Sequence, residues 1–116
     1  MSQYTIYHNP RCSKSRQTLE LLKQANIEPE VRLYLEQTPD AAELKTLLSK
    51  LGINARDLLR KGEEAYKALN LKDAAHSDDD LIDAMTSHPK LIERPIVVCG
   101  DKAVLGRPPE NVNSLI

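Results

Sequence analysis

The stretch YHNPRCSKSRQTLELL, residues 7–22, carries the side chains best suited to chemistry. Cys12 stands where an apolar, strand-like segment ends and an amphipathic, helix-like one begins. His8 lies four residues before it, and Arg11, Lys14 and Arg16 add cations nearby. The first turn of a helix offers N–H groups with no partner inside the helix and the positive end of the macrodipole. A thiolate is favoured there, and the same place attracts oxyanions. One site could thus activate a sulfur and hold an anionic target.

Spacing disfavours two kinds of cysteine chemistry. A phosphatase-type loop requires an arginine after five intervening residues, and Thr18 occupies that position. A dithiol oxidoreductase requires C-x-x-C so that a second thiol resolves the first. Here the run is C-S-K-S, with Ser15 in the second position. Two readings of Cys12 stand beside each other at this point, a nucleophile or a small apolar residue at a turn. A polar breaker loop is a poor place to bury the latter. His8 either faces the sulfur as a further cation or closes the strand end. Cys99 ends the apolar run PIVVC and reads as core.

The elements that must position these residues follow from periodicity and punctuation. Gln3–Tyr7 alternates as a strand, and a helix is expected from Ser13 to about Gln24, with Asn26 as a left-handed stop. EVRLYL, residues 30–35, sets Val31, Leu33 and Leu35 on one face of a second strand. In TPDAAELKTLLSKLG, Thr38 suits an N-cap, Pro39 the first helical position and Gly52 the C-terminal cap. Asn54–Leu59, EEAYKALN and SDDDLIDAMTS predict shorter helices, the last opened by Ser77. PIVVC, the turn at Gly100–Asp101, and KAVLG form a hairpin, and PPENVNSLI a closing helix. The order is that of an α/β, thioredoxin-like fold. A four-stranded mixed sheet is expected, with a helical insertion at about 40–90 between the βαβ unit and the C-terminal β-hairpin.

Composition narrows the function classes. The 116 residues predict one domain over 1–116, large enough to bury a core without disulfides. Sixteen basic residues against seventeen acidic ones invite neither nucleic acid nor an anionic membrane. With no Phe and no Trp, a base-stacking surface is not expected. No apolar run approaches the ~18 residues of a membrane span, and MSQYTIYHNP lacks the pattern of a secretory signal. The chain is therefore expected in the cytoplasm. His76 and His88 have no ligand spacing to Cys12 or to each other, so neither a metal nor a bound cofactor is expected. HSDDDLIDAM could serve as an acidic docking face, though such runs are usually solvated helix starts.

HNPRCSKSRQTLELL resembles the active-site segment of the glutaredoxin-linked arsenate reductase family, whose pattern is H-N-P-x-C-x-x-S-R-x-T-L. LLRKGE (58–63), ERPIVV (93–98) and LGRPPE (105–110) extend the resemblance in order across essentially the whole chain. The resemblance implies reduction of arsenate to arsenite, with Cys12 attacking the oxyanion and Arg60, Arg94 and Arg107 binding it. It implies that His8 promotes ionisation of the thiol and that Ser15 supplies a hydroxyl near the sulfur. Glutathione is implied as co-substrate, and glutaredoxin as the partner that clears the mixed disulfide. A cis bond is implied at Arg94–Pro95. Two relatives of that family define the alternatives. One acts on glutathione mixed disulfides; the other is a redox-responsive transcription regulator that binds RNA polymerase and carries C-x-x-C, which Ser15 argues against.

Overall fold

The computed structural model describes residues 4–73 and 75–116. Two compact units form: the chain through Gln37 together with Arg94–Ile116, and Thr38–Glu93.

The first unit holds β1 (Tyr4–Tyr7), α1 (Ser13–Gln24), β2 (Glu30–Arg32), β3 (Ile96–Cys99) and β4 (Lys102–Leu105), and ends in a 3₁₀ helix over Pro109–Leu115. Gln3, expected to open β1, lies outside the described residues. The strands form one sheet in the order β2-β1-β3-β4. β1 pairs parallel with β2 and antiparallel with β3, and β3 pairs antiparallel with β4. This is the mixed, thioredoxin-like sheet that the element order predicts.

Side-chain alternation decides what covers the sheet. Ile6 faces Val97 across β1–β3, and Val97 faces Val104 across β3–β4. On that face Ile6, Leu22, Val97 and Val112 are fully buried, with Leu19 and Leu115 packed beside them. Leu22 comes from α1 and Val112 from the 3₁₀ helix, so these two elements roof the face. α1 buries Ser15, Thr18 and Leu22, a stripe at helical spacing. Asn26 at φ 63° ends the turn after α1, as its residue type predicts. Gly100 at φ 60° makes the β3–β4 hairpin.

β2 is shorter than EVRLYL predicts. The Leu33 carbonyl accepts the amides of Glu36 and Gln37, so the chain turns where the strand was expected to continue. Val31 is exposed on this edge strand, and Tyr34 rather than Leu35 is buried. The closing helix is likewise 3₁₀ rather than α.

The second unit is helical: α2 (Ala41–Leu51), α3 (Ala55–Leu58), α4 (Glu64–Ala68), α5 (Asp78–Ser87) and a 3₁₀ turn at Pro89–Leu91. α5 packs against α2, α3 and that turn, with Leu44, Leu58, Leu81, Met85 and Leu91 buried. The N-cap of α2 is Asp40, not Thr38; its carboxylate accepts the Glu43 amide at 2.8 Å. Gly52 at φ 70° caps the other end. Ser77 and Asp80 cap α5 reciprocally: the Ser77 hydroxyl accepts the Asp80 amide and the Asp80 carboxylate accepts the Ser77 amide. A single bridge between Leu59 and Ile92 ties two loops, with the Arg60 amide donating to Leu91 O and the Glu93 amide to Leu58 O. Among the described residues no helix is long and apolar enough to cross a membrane.

Candidate active site

Cys12 is the N-cap of α1. Its backbone is extended (φ −94°, ψ 121°), its amide donates to Asn9 O, and its carbonyl accepts the first helical bond from Arg16. The cysteine is half-buried, not hidden in the core. No acidic residue occupies the first turn of α1, so nothing there opposes an anion at the helix start.

The approach to Cys12 is tied down by Ser15. Its hydroxyl is fully buried, shares a 2.6 Å hydrogen bond with His8 Nδ1 and accepts the Asn9 amide at 3.1 Å. The strand end at His8 and the first turn of α1 are thereby joined through one oxygen. Asn9 folds over the next bend, its side-chain oxygen accepting the Arg11 amide. Arg16 reaches back to Pro10 O at 3.0 Å. The cation is here a brace for the loop carrying the cysteine.

His8 sits where its cationic form is disfavoured. The residue is buried, and burial first, then the charges of Lys23 and Arg16, push its pKa below the ordinary value of 6.5. That shift works against a positive charge beside the sulfur, and the ring shares its hydrogen bond with Ser15.

Two of the three arginines gather at this end of the sheet. Tyr7, the last residue of β1, pairs with Ile96, and Ile96 with Leu105. The segments after β1, before β3 and after β4 therefore emerge together, carrying Cys12, Arg94 and Arg107. Arg94–Pro95 and Arg107–Pro108 are both cis; the second of these has no precedent in the sequence reading. Arg107 Nη1 donates to Arg94 O at 3.4 Å, and the Gly106 amide to Pro95 O at 2.9 Å. Arg107 is exposed and Arg94 half-buried.

Arg60 belongs to the second unit. Its guanidinium pairs with Glu63 through Nη1 and with Glu93 through Nε at 3.6 Å, all three side chains about a quarter exposed. Two carboxylates beside this cation are a feature that sequence spacing did not suggest. Cys99 is half-buried opposite Tyr4, the first residue of β1, and so lies at the other end of the strand from the loop bearing Cys12. Among the described residues no group of three or more His, Cys, Asp or Glu side chains gathers to hold a metal ion.

Residues 7–115 match the ArsC family. The chain belongs to that family. Among its relatives is the uncharacterized protein YfgD of Escherichia coli K12, 58% identical over 98% of this chain and 97% of its own length. An arsenate reductase of Haemophilus influenzae is 48% identical over 96% of this chain and 97% of its own length. The solved structure of an arsenate reductase from Vibrio cholerae superposes with a TM-score of 0.97 at 54% identity, covering 99% of this chain and 98% of that one.

Thr18 and Gly106 lie within the segments that resemble the ArsC family, but their sequence context gave neither of them a role at the candidate site. Thr18 is fully buried, and its hydroxyl donates to Lys14 O at 2.9 Å while lying 3.4 Å from Gly106 O. The available signals were a hydroxyl residue in the buried stripe of α1 and a glycine between a strand and the arginine.

Proposed function

We propose that this chain reduces arsenate to arsenite, with Cys12 as nucleophile and with glutathione and glutaredoxin supplying the electrons. The observation that supports this most is the half-buried sulfur-bearing residue at the start of α1, beside two arginine-bearing loops. Arsenate carries about two negative charges near neutrality, and guanidinium forks match tetrahedral oxyanions bidentately. Arg94 and Arg107 bind it, and the helix start adds its dipole. Arg60 is assigned the same role on the family pattern alone.

The Cys12 thiolate attacks arsenic and an arsenic-bound oxygen leaves as water. Glutathione thiol then attacks the adduct, arsenic takes up two electrons, and arsenite departs. Two thiols and one arsenate become one disulfide, one arsenite and one water. The disulfide joins Cys12 to glutathione, and glutaredoxin reduces it. Positive charge near the departing oxygen stabilises the transition state. Ser15 and His8 hold the loop in which the sulfur sits. Cys99 takes no part, and the chain acts in the cytoplasm, where glutathione is abundant.

NADPH oxidation coupled through glutathione reductase, glutaredoxin and glutathione tests the reading. Arsenate-dependent turnover is expected, lost by at least about a thousandfold in Cys12→Ser and retained in Cys99→Ser. Turnover that survives Cys12→Ser overturns it. Arsenate rates at background, together with release of glutathione from a glutathionylated test protein, would instead favour the mixed-disulfide reading.

A further inference from the structure

Gly106 stands closer to α1 and to the loop before β3 than any other residue type permits. A Cβ built on it would meet Thr18 Oγ1 at 2.5 Å, Pro95 Cγ at 2.7 Å and Thr18 Cγ2 at 3.0 Å. Real Cβ atoms essentially never come as close as the first two of these, and the third is tighter than most. The close approach serves no left-handed backbone, because Gly106 is not among the residues with positive φ. It serves contact. Three segments meet at one point: the second turn of α1, whose N-cap is Cys12; the Arg94–Pro95 loop; and the strand end that leads into Arg107.

We infer that Thr18 and Gly106 are positioning residues that fix Arg107, through their contact, relative to Cys12 and Arg94. The backbone carries the effect. Thr18 spans from Lys14 O, in the first turn of α1, toward Gly106 O, one residue before Arg107. The Gly106 amide bonds Pro95 O, one residue after Arg94. Each link lies within one residue of an arginine or within the first two turns behind the sulfur. A methyl inserted at Gly106 must drive these segments apart, because two of its three neighbours belong to a buried side chain on a helix and the third to a proline ring. Neither can swing aside as the end of a flexible chain would. Displacements on the order of 1 Å at a site can cost up to about a hundredfold in rate. This inference rests on the reading of Cys12, Arg94 and Arg107 as one oxyanion site.

The test measures how arsenate protects Cys12 from iodoacetamide in the full chain, well below each variant's unfolding midpoint. Labelling is located by mass spectrometry, so turnover is not required. Gly106→Ala is expected to raise the arsenate concentration for half-protection about tenfold. The loss should shrink to about threefold or less when the same change is made in Thr18→Ala, which clears both Thr18 contacts and leaves only Pro95. Should Gly106→Ala fail to fold, Thr18→Val and Thr18→Ser decide. The valine keeps the shape but not the hydroxyl, and is expected to weaken protection about threefold; the serine keeps the hydroxyl and should stay within about twofold of the parent. Equal costs of Gly106→Ala in both backgrounds, parental protection in Gly106→Ala or, where that variant does not fold, parental protection in Thr18→Val overturns the inference. If the parent chain itself shows no protection by arsenate, the oxyanion-site reading fails, which is a separate result.

Discussion

His8 shows how little a residue type says about its charge state. As a histidine beside a cysteine it suggests an imidazolium–thiolate pair. Burial removes the solvent that a cation needs, and Lys23 and Arg16 oppose it further. The folded pKa therefore lies below the unfolded one. Between the two values the unfolded chain binds a proton that the folded chain does not, so stability rises with pH there and is lost as the solution is acidified below about 6.5. Unfolding midpoints of the parent and His8→Asn, followed from about pH 7.5 to about pH 5.5, should converge or cross as pH falls, because only the parent carries this penalty. Parallel profiles would refute the assignment. The same measurement on Ser15→Ala reports on the shared hydrogen bond, which joins a strand end to a helix start.

At the scale of elements, caps and turns decided what periodicity left open. Thr38 and Pro39 match the usual order for a helix start, yet Asp40 takes the cap and α2 begins at Ala41. Both Thr38 and Asp40 are good capping types, and local sequence does not choose between them. The carboxylate of Asp40 reaches the Glu43 amide and also sits near the positive helix end. Asp40→Ala should cost about 1 kcal/mol of stability by denaturant unfolding, whereas Thr38→Ala should cost less than about half of that. A larger loss at Thr38 would return the cap to that residue. β2 teaches the converse lesson. Alternating apolar residues predicted six residues of strand, but an edge strand with an exposed Val31 gains little from its outer face, and the turn at Leu33 ends it after three.

At the scale of the whole first unit, the strand order assembles the site. Consecutive pairing of Tyr7, Ile96 and Leu105 lines up three chain segments that lie up to a hundred residues apart. The same pairing sets Cys99 against Tyr4, three residues back along β1. At ~3.3 Å per residue that is ~10 Å of strand, beyond the ~7 Å between Cα atoms that a disulfide spans. Oxidation with diamide alone is therefore expected to leave no intramolecular disulfide, and mass spectrometry should show Cys12 joined to glutathione once glutathione is added. A Cys12–Cys99 bridge would contradict the topology.

Sequence alone determined the order of elements, the one-sided stripe of α1, the left-handed positions at Asn26 and Gly52, and the cysteine at a helix start. Each of these is written in neighbouring residues, through periodicity, backbone preference or spacing. The family pattern, carried by four short segments in order, located the arginines. Only the tertiary structure decided that His8 is buried with its pKa lowered, that Glu63 and Glu93 flank Arg60, and that Gly106 must lack a side chain because Thr18 and Pro95 already occupy the space. Burial, ion pairing and close contact are properties of residues brought together by folding, and no local stretch of the chain contains them.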